Sequence, residues 1–157
     1  MPEDSPKESK GTTACTDGKH PHWIDLGLPS GTQWRCCNEG ASAPEAYGGY
    51  YQFGQVGSAP SLDQIAELVN YCTYTWTTQN AVNGGKFTGP NGSTIFLPAA
   101  GSRWDGELNG VGSWGSYGSS RPDGEYRACA LYFEYGDAHW NDYWSRVSER
   151  LSVRPVR

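Results

Sequence analysis

Side chains suited to molecular recognition crowd into one short stretch near the C-terminal end of the sequence. After a turn at Gly136-Asp137, the run AHWNDYWSR brings aromatic rings, an imidazole, amide and carboxylate groups and a guanidinium together at residues 138–146. Rigid rings give contact area at low entropic cost, and guanidinium and carboxylate groups orient a ligand through hydrogen bonds. This composition predicts a binding surface.

The composition of the whole C-terminal third supports this interpretation. Residues 102–157 contain seven Arg and eight Asp or Glu but no Lys, Gln or Met, whereas the first 101 residues contain four Lys, five Gln and one Met. Arg and aromatic residues are enriched at interfaces, where Lys is depleted. The net charge of −5 argues against a nucleic-acid partner. No stretch approaches the roughly 18 apolar residues of a membrane span, so we expect no membrane insertion.

Three side chains of this region offer oxygen ligands to a metal. Calcium binds hard oxygens, which Asp123, Asn141 and Asp142 carry. The triplet WND at 140–142 also resembles that of calcium-dependent C-type lectins, and RPD at 121–123 lies upstream, where those lectins carry Glu-Pro-Asn or Gln-Pro-Asp. The Arg of RPD places a cation where the lectins have an oxygen ligand, which opposes calcium. A calcium-dependent carbohydrate-binding lectin is therefore an alternative.

Catalytic groups show no familiar arrangement. No triad, phosphate-binding loop or carboxylate pair is evident. Cys129 alternates with Leu131 in a predicted strand, which is typical of a core thiol rather than a nucleophile. His139 has no cysteine or acidic partner in a recognisable pattern. We predict that the protein is not an enzyme and needs no cofactor.

The cysteine pattern leaves the disulfide pairing open. The five cysteines are Cys15, Cys36, Cys37, Cys72 and Cys129. Their odd number leaves at least one unpaired in a monomer. The adjacent Cys36 and Cys37 cannot readily bond each other, although either could reach Cys72 if the fold brings them together. No CxxC or Cys/His spacing indicates a zinc site.

One helix is predicted among the elements that must position these side chains. The sequence SLDQ at 61–64 has the S-x-x-Q form of a capping box. Ile65, Leu68, Val69 and Cys72 then recur at helical spacing, which predicts a helix over about 61–72 with one buried face.

Alternation of apolar and polar residues predicts strands at 73–78 and 128–135. Asn-Gly pairs predict hairpin turns at 83–84 and 91–92. The Gly- and Ser-rich residues 99–127 have little periodicity and are expected to form a long surface loop region. These elements indicate an α+β fold of short strands and hairpins with one main helix.

Two regions differ in composition. Residues 1–21 mix charges with Pro, Ser, Thr and Gly, which predicts a flexible tether. They contain no apolar signal-peptide core, so we expect any export signal to be absent from this chain. Residues 22–157 are expected to form a single domain, in which the part before residue 102 supplies the frame.

Five motifs of this domain give it a family resemblance. They are DLGLPSGT at 25–32, TWTTQN at 75–80, TGPNG at 88–92, IFLPAAG at 95–101 and SVRPV at 152–156. Together they resemble the Fibrobacter succinogenes major paralogous domain family. The resemblance implies a C-type lectin-like fold, related to that of formylglycine-generating enzymes and of the variable proteins of diversity-generating retroelements.

The resemblance also implies a location and a function. Family members are mostly exported or surface proteins of Bacteroidetes, and some are retroelement targets in gut bacteria and their phages. A diversified recognition site at 102–157 on a bacterial surface or a phage virion is therefore expected, with an unknown protein or glycan as its ligand. A non-variable surface adhesion domain is the remaining alternative. The formylglycine-generating relatives use paired cysteines with a metal, whereas Cys129 lies on the apolar side of its predicted strand, which is typical of a core residue.

Retroelement diversification restricts which residue types can occur. Randomised adenines in Asn codons can yield Tyr, Asp, His, Ser, Arg and Ala but not Lys, Gln, Met, Trp or Glu. The absence of Lys, Gln and Met from 102–157 fits this rule, and the template must fix every Trp and Glu there. The predicted ligand-binding residues are Trp104, Tyr117, Arg121, Tyr126, Asp137, His139, Asn141, Asp142, Tyr143, Ser145, Arg146, Ser148 and Arg150.

Overall fold

The structure, a computed structural model, describes residues 20–157. The described range contains one helix and eleven strands, a mixed α+β architecture as the sequence predicts. The predicted tether at 1–21 lies outside the described residues apart from its last two positions. In chain order the elements are β1 (Trp23–Asp25), β2 (Gln33–Arg35), α1 (Leu62–Tyr71), β3 (Thr73–Gln79), β4 (Val82–Thr88), β5 (Thr94–Pro98), β6 (Ser102–Trp104), β7 (Glu107–Asn109), β8 (Trp114–Asp123), β9 (Arg127–Glu134), β10 (Asp137–Ser145) and β11 (Glu149–Leu151).

The described strands pair into four small antiparallel sheets. β1 pairs with β2, and β4 lies between β3 and β5. β6 lies between β11 and β7, and β9 lies between β10 and β8. The sheet of β8, β9 and β10 carries most of the predicted binding residues.

The helix begins at the predicted capping box. The Ser61 hydroxyl accepts a hydrogen bond from the Gln64 amide at 3.1 Å, and the Gln64 side-chain oxygen accepts one from the Ser61 amide at 2.8 Å. Both contacts satisfy donors that the first turn of a helix leaves open. Ile65 and Leu68 are fully buried, and α1 packs against β10. The helix therefore supports β10 from the core side.

The first predicted hairpin turn is wrong, and the second is confirmed. The chain turns between β3 and β4 at Asn80-Ala81, where φ is 49° and 68°, rather than at Asn83-Gly84. Gly84 lies inside β4, where a Cβ would collide with the carbonyl oxygen of Leu97 in β5. The glycine is therefore required by strand packing and not by a turn. The turn at residues 91–92 does join β4 to β5.

The predicted surface loop at 99–127 is also wrong, because three strands lie in it. β6 and β7 form a short hairpin there, and β8 forms one edge of the β8–β9–β10 sheet. Gly115 and Gly118 leave room for the rings of Phe133 and Trp144, which a Cβ at either position would meet. The small residues therefore reflect close ring packing within a sheet rather than an irregular loop.

Aromatic rings fill the centre of the domain. Phe133 of β9 lies 5.7 Å from Tyr117 and 6.2 Å from Phe87, measured between ring centroids. A second buried cluster contains Trp144 and Leu151, with Phe53 packed against it. The first cluster joins residues of the frame to β8 and β9, so the C-terminal third shares its core with the rest of the domain.

A buried arginine joins the C-terminal segment to the frame. Arg154 is fully buried. Its guanidinium donates to the Asn38 side-chain oxygen at 2.8 Å, to the Arg35 carbonyl at 3.1 Å and to the Phe96 carbonyl at 2.7 Å. The planar fork of arginine suits several acceptors at once, which a lysine ammonium cannot match.

No helix in the described part of the chain is long and apolar enough to cross a membrane.

Replacing Arg154 by Lys should lower the free energy of unfolding by about 3 kcal/mol or more, because buried acceptors lose their donors. Equilibrium denaturation with urea measures this change. The matched control is Arg150→Lys at an exposed position, which should change the free energy by less than about 0.5 kcal/mol. Equal effects at the two positions would contradict the role assigned to Arg154.

Candidate functional site

The β9–β10 hairpin sets the direction of the predicted binding residues. Asp137 pairs with Glu134, and His139 pairs with Tyr132, before the register shifts between His139 and Asp142. This irregularity contains residues 140–141, where the side chain of Trp140 packs against the core and that of Asn141 is exposed. Side chains of β10 therefore alternate between the core and the surface, and the register shift between His139 and Asp142 changes this alternation once.

A row of rings crosses the outer face of the β8–β9–β10 sheet, at the end where β8 and β10 begin and β9 finishes. We call Trp114, Tyr132 and His139 the ring row. The centroids of Trp114 and Tyr132 are 5.7 Å apart, and those of Tyr132 and His139 are 5.3 Å apart. The planes of neighbouring rings differ by 33° and 28°, so the rings lie nearly parallel. All three are partly exposed, which leaves them available as a stacking platform.

Carboxylates border the ring row. The Asp137 carboxylate lies 3.0 Å from His139 Nδ1, so the histidine has an acidic partner, contrary to the sequence prediction. The Tyr132 hydroxyl donates to Glu134 at 2.9 Å. Burial and this hydrogen bond raise the pKa of Tyr132 to about 12, which keeps the hydroxyl protonated as a donor. The patch thus combines apolar rings with hydrogen-bond acceptors.

At the opposite end of the β9–β10 hairpin, two turns lie side by side and Arg146 links them. They are the turn between β8 and β9 at residues 124–126 and the turn between β10 and β11 at residues 146–148. The Arg146 amide donates to the Tyr126 carbonyl at 2.8 Å, and its guanidinium donates to the Gly124 carbonyl at 2.9 Å. The same guanidinium lies 4.6 Å from the centroid of the Phe53 ring. Arg146 therefore has a structural role beside any contact with a ligand, whereas Tyr126 is 67% exposed.

Tyr143 lies in a charged neighbourhood that sequence analysis did not identify. The Arg127 guanidinium is 4.7 Å from the centroid of the Tyr143 ring and 3.0 Å from the Asp123 carboxylate. Arg127 precedes the apolar alternation of β9, so no local pattern marks it. Its position opposite Ser145 in the sheet register is what brings it beside Tyr143. The predicted residue Arg121 is exposed in β8, where the register with β9 shifts.

Ser145 and Ser148 serve the turn between β10 and β11. The Ser145 hydroxyl accepts from the amides of Val147 at 3.2 Å and Ser148 at 3.0 Å, and the Ser145 amide donates to the Glu149 carboxylate at 2.8 Å. Burial, followed by the negative charge of Asp142, raises the pKa of Glu149 against the opposing effect of this hydrogen bond. The turn displays Val147, which is 70% exposed and was not predicted.

Trp104 and Arg150 lie on a third sheet. β6 and β11 pair so that Trp104 is opposite Glu149, and Arg150 is opposite Arg103. Both predicted residues are exposed. The predicted residues that reach the surface therefore lie in three patches, one at the ring row, one around the two turns and Tyr143, and one on β6 and β11.

Tyr117 does not belong to any of these patches. It is only 1% exposed, and its hydroxyl accepts from the Asn38 amide at 2.9 Å and donates to the Pro98 carbonyl at 2.8 Å. A ligand at the surface cannot contact this side chain. Tyr117 is a core residue of β8, and the prediction that it binds ligand is wrong.

The predicted calcium ligands lie apart. Asp123 is in register with Arg127 and hence with Ser145, whereas Asp142 is in register with Ala130. Three residues along a strand and two strand spacings separate Asp123 from Asp142, which places their Cα atoms about 14 Å apart. Carboxylates at that separation cannot share an ion whose oxygen ligands lie at about 2.4 Å. The Asp123 carboxylate is instead paired with Arg127.

Two of the thiols that sequence analysis considered are buried to different degrees. Cys129 is buried in β9, and desolvation raises the pKa of its thiol. Cys72 is a half-buried free thiol at the end of α1, and burial raises its pKa to about 12. Neither thiol has the lowered pKa that a nucleophile requires. Cys72 does not form a disulfide with Cys36 or Cys37.

Comparisons of the chain with protein-family models, with curated proteins and with solved structures found no match.

The stability of the Glu149→Gln variant relative to the parent protein should be higher at neutral than at acidic pH. Because the folded-state pKa is raised, the carboxyl contributes stability below its ordinary value of about 4.3, and this contribution is lost as the pH rises through the folded pKa. Gln keeps an acceptor for the Ser145 amide and has no charge to desolvate. Thermal melts at about pH 4 and about pH 7 measure the difference between variant and parent.

The exposed Glu107 of β7 provides the control for this experiment. Glu107→Gln should show no comparable growth of its stability difference between the two pH values. A Glu149→Gln effect of equal size at both pH values would contradict a penalty for burying the charged carboxylate.

Calcium should not change the melting temperature of the protein. A ligand that binds only the folded state stabilises it by mass action, and the separated carboxylates give calcium no shared site. The test compares melts with a chelator and with about 10 mM calcium, above the dissociation constants of about 1 mM found in extracellular calcium modules. A calcium-dependent rise that disappears in Asp142→Asn would restore the lectin alternative.

Proposed function

We propose that this protein is a ligand-binding domain whose recognition surface lies on β10, the adjoining turns and the β6–β11 pair, within residues 102–157. One observation carries the proposal. The backbone of β10 is paired with β9 on both sides of its irregularity, while side chains such as Asp137, Asn141 and Tyr143 remain exposed. Side chains at these positions can change without loss of the hydrogen bonds that hold the strand.

We further propose that this surface is the diversified site of a retroelement variable protein. The residue types that a template must fix include Trp and Glu, and several of these have structural contacts. Trp144 Nε1 donates to the Cys129 carbonyl at 3.1 Å, and Glu149 accepts from Ser145. Trp140 packs against the core. Trp104, Glu107 and Glu125 are exceptions, because they are exposed and must be fixed members of the surface.

The C-type lectin-like fold and the family assignment belong to the same proposal. Its support is that sequence motifs far apart in the chain meet in space. Asn91 of one motif donates to the Asp25 carbonyl of another at 2.8 Å, and Arg154 of the closing motif donates to the Phe96 carbonyl at 2.7 Å. Motifs that form one connected frame are expected to persist together while the surface varies.

The ligand proposed for this surface is a protein or glycan on another cell or virion, and the proposed location is a bacterial surface or a phage particle. The three patches offer exposed rings with carboxylate, guanidinium and hydroxyl groups at their borders, a combination that contacts and orients a macromolecular ligand. The proposed role is non-catalytic binding without a cofactor.

Sequencing the same locus across many isolates of the source population tests the proposal. We expect substitutions at exposed and partly exposed positions and a nearby DNA repeat that carries adenines at the matching codons. The positions expected to vary are Asp137, His139, Asn141, Asp142, Tyr143, Ser148 and Arg150.

Buried positions of the same strands are the internal control. Ala128, Leu131 and Trp144 are buried and should be constant across isolates. An invariant locus without a template repeat would favour a non-variable adhesion domain. Substitutions spread evenly over buried and exposed positions would contradict a diversified surface.

A further inference from the structure

Three soft donor atoms converge at the N-terminal edge of the described domain, away from the proposed recognition surface. They are Nδ1 of His20 and the sulfurs of Cys36 and Cys37, and all three lie within 4.8 Å of one another. Within residues 20–157, this is the one group of three or more His, Cys, Asp or Glu side chains whose ligand atoms come this close. Imidazole and thiolate are the ligands that zinc prefers in proteins.

The first sheet brings these donors together. Trp23 of β1 pairs with Arg35 of β2, and the pairing continues beyond the strands. The Cys36 amide donates to the His22 carbonyl at 2.9 Å, and the His22 amide donates to the Cys36 sulfur at 3.1 Å. The chain before β1 therefore lies against the chain after β2. His20, two residues before His22, is held beside both sulfurs.

The distances suit a tetrahedral metal ion. The Cys36 sulfur lies 3.5 Å from His20 Nδ1 and 3.2 Å from the Cys37 sulfur. Bond lengths of about 2.3 Å to sulfur and about 2.05 Å to nitrogen place two sulfurs about 3.8 Å apart and a sulfur and a nitrogen about 3.6 Å apart. The distance between the Cys36 sulfur and the His20 nitrogen already fits, and the Cys37 sulfur lies within 4.8 Å of that nitrogen. The sulfurs need to separate by about half an ångström as a metal replaces the thiol proton between them.

Burial explains why a cation would be retained here. Cys36 and Cys37 are 3% and 1% exposed, whereas His20 is partly exposed. In so dry a site the two sulfurs become thiolates only when a cation replaces their protons, and the low polarity strengthens the attraction between that cation and its ligands. The backbone amide that donates to the Cys36 sulfur also orients this ligand, as outer-shell groups do in metal sites.

We propose that His20, Cys36 and Cys37 bind one zinc ion, which fastens the chain before β1 to the end of β2. Three protein ligands leave a fourth position for solvent or another donor. The role is structural, because β1 and β2 are three residues each and a two-stranded sheet is marginally stable alone. Zinc binding to the folded state stabilises it by mass action.

Titration of the chelator-treated, reduced full chain with Co²⁺ tests the site. Cobalt reports thiolate ligation through charge-transfer absorption and tetrahedral geometry through strong visible bands. We expect one equivalent of Co²⁺ per chain, displacement by one equivalent of Zn²⁺ and a higher melting temperature with zinc. Absence of thiolate charge-transfer absorption would overturn the proposal.

Variants of the three ligands provide the specific test. Cys36→Ser, Cys37→Ser and His20→Gln should each lower the zinc affinity by at least about tenfold, since loss even of an outer-shell partner costs about 10- to 100-fold. Cys72→Ser is the matched control, because its thiol lies outside the cluster, and it should bind zinc like the parent. Unchanged affinity in Cys36→Ser and Cys37→Ser would overturn the site.

A measurement on zinc-loaded Cys72→Ser keeps the test valid if the ligand variants fail to fold. X-ray absorption at the zinc edge should show at least two sulfur neighbours at about 2.3 Å and at least one nitrogen at about 2.05 Å. A first shell with fewer than two sulfurs would overturn the proposal.

Discussion

One buried polar network holds the domain together, and the exposed strands depend on it. Arg154 donates to Asn38 and to the Phe96 carbonyl, Asn38 donates to the Tyr117 hydroxyl, and that hydroxyl donates to the Pro98 carbonyl. These contacts join the segment after β2, strand β5, strand β8 and the C-terminal segment. Burying a guanidinium is costly unless its donors find acceptors. Since no local repacking can supply these acceptors, the network favours a single arrangement of the four segments.

Because of this constraint, the residues that hold the fold together are largely different from the residues whose side chains face solvent. Strand β9 is paired on both sides, and its neighbour β10 is paired to it while several of its side chains face solvent. An exposed substitution away from such contacts usually changes stability by less than about 0.5 kcal/mol. The separation is incomplete, because Arg146 and Ser145 make hydrogen bonds that shape the turns. Tyr143, Asn141 and Arg150 are better suited to variation than these two residues.

Sequence patterns correctly predicted the elements that depend mainly on interactions between residues close together in the chain. The capping box and apolar spacing predicted α1, and alternation predicted β9, because both patterns reflect neighbours along the chain. The turn at Asn83-Gly84 and the loop at 99–127 failed for one shared reason. Glycine there makes room for a ring or a carbonyl from another strand, which composition cannot reveal. Tyr117 was misassigned for the same reason, since only the tertiary fold places its hydroxyl between Asn38 and Pro98.

The groups that sequence analysis missed depend on pairing between distant strands. Tyr132 joins the ring row through its register with His139, and His20 meets Cys36 because β1 and β2 pair. The proposed zinc ligands all lie in the frame, and β2 also meets the C-terminal segment through the bridge between Trp34 and Val156. A metal at this junction would stabilise both ends of the domain while the proposed recognition surface on β10 remains free to change. Frame stability and ligand specificity would then be set by different residues, which is the condition under which a surface can diversify without unfolding its support.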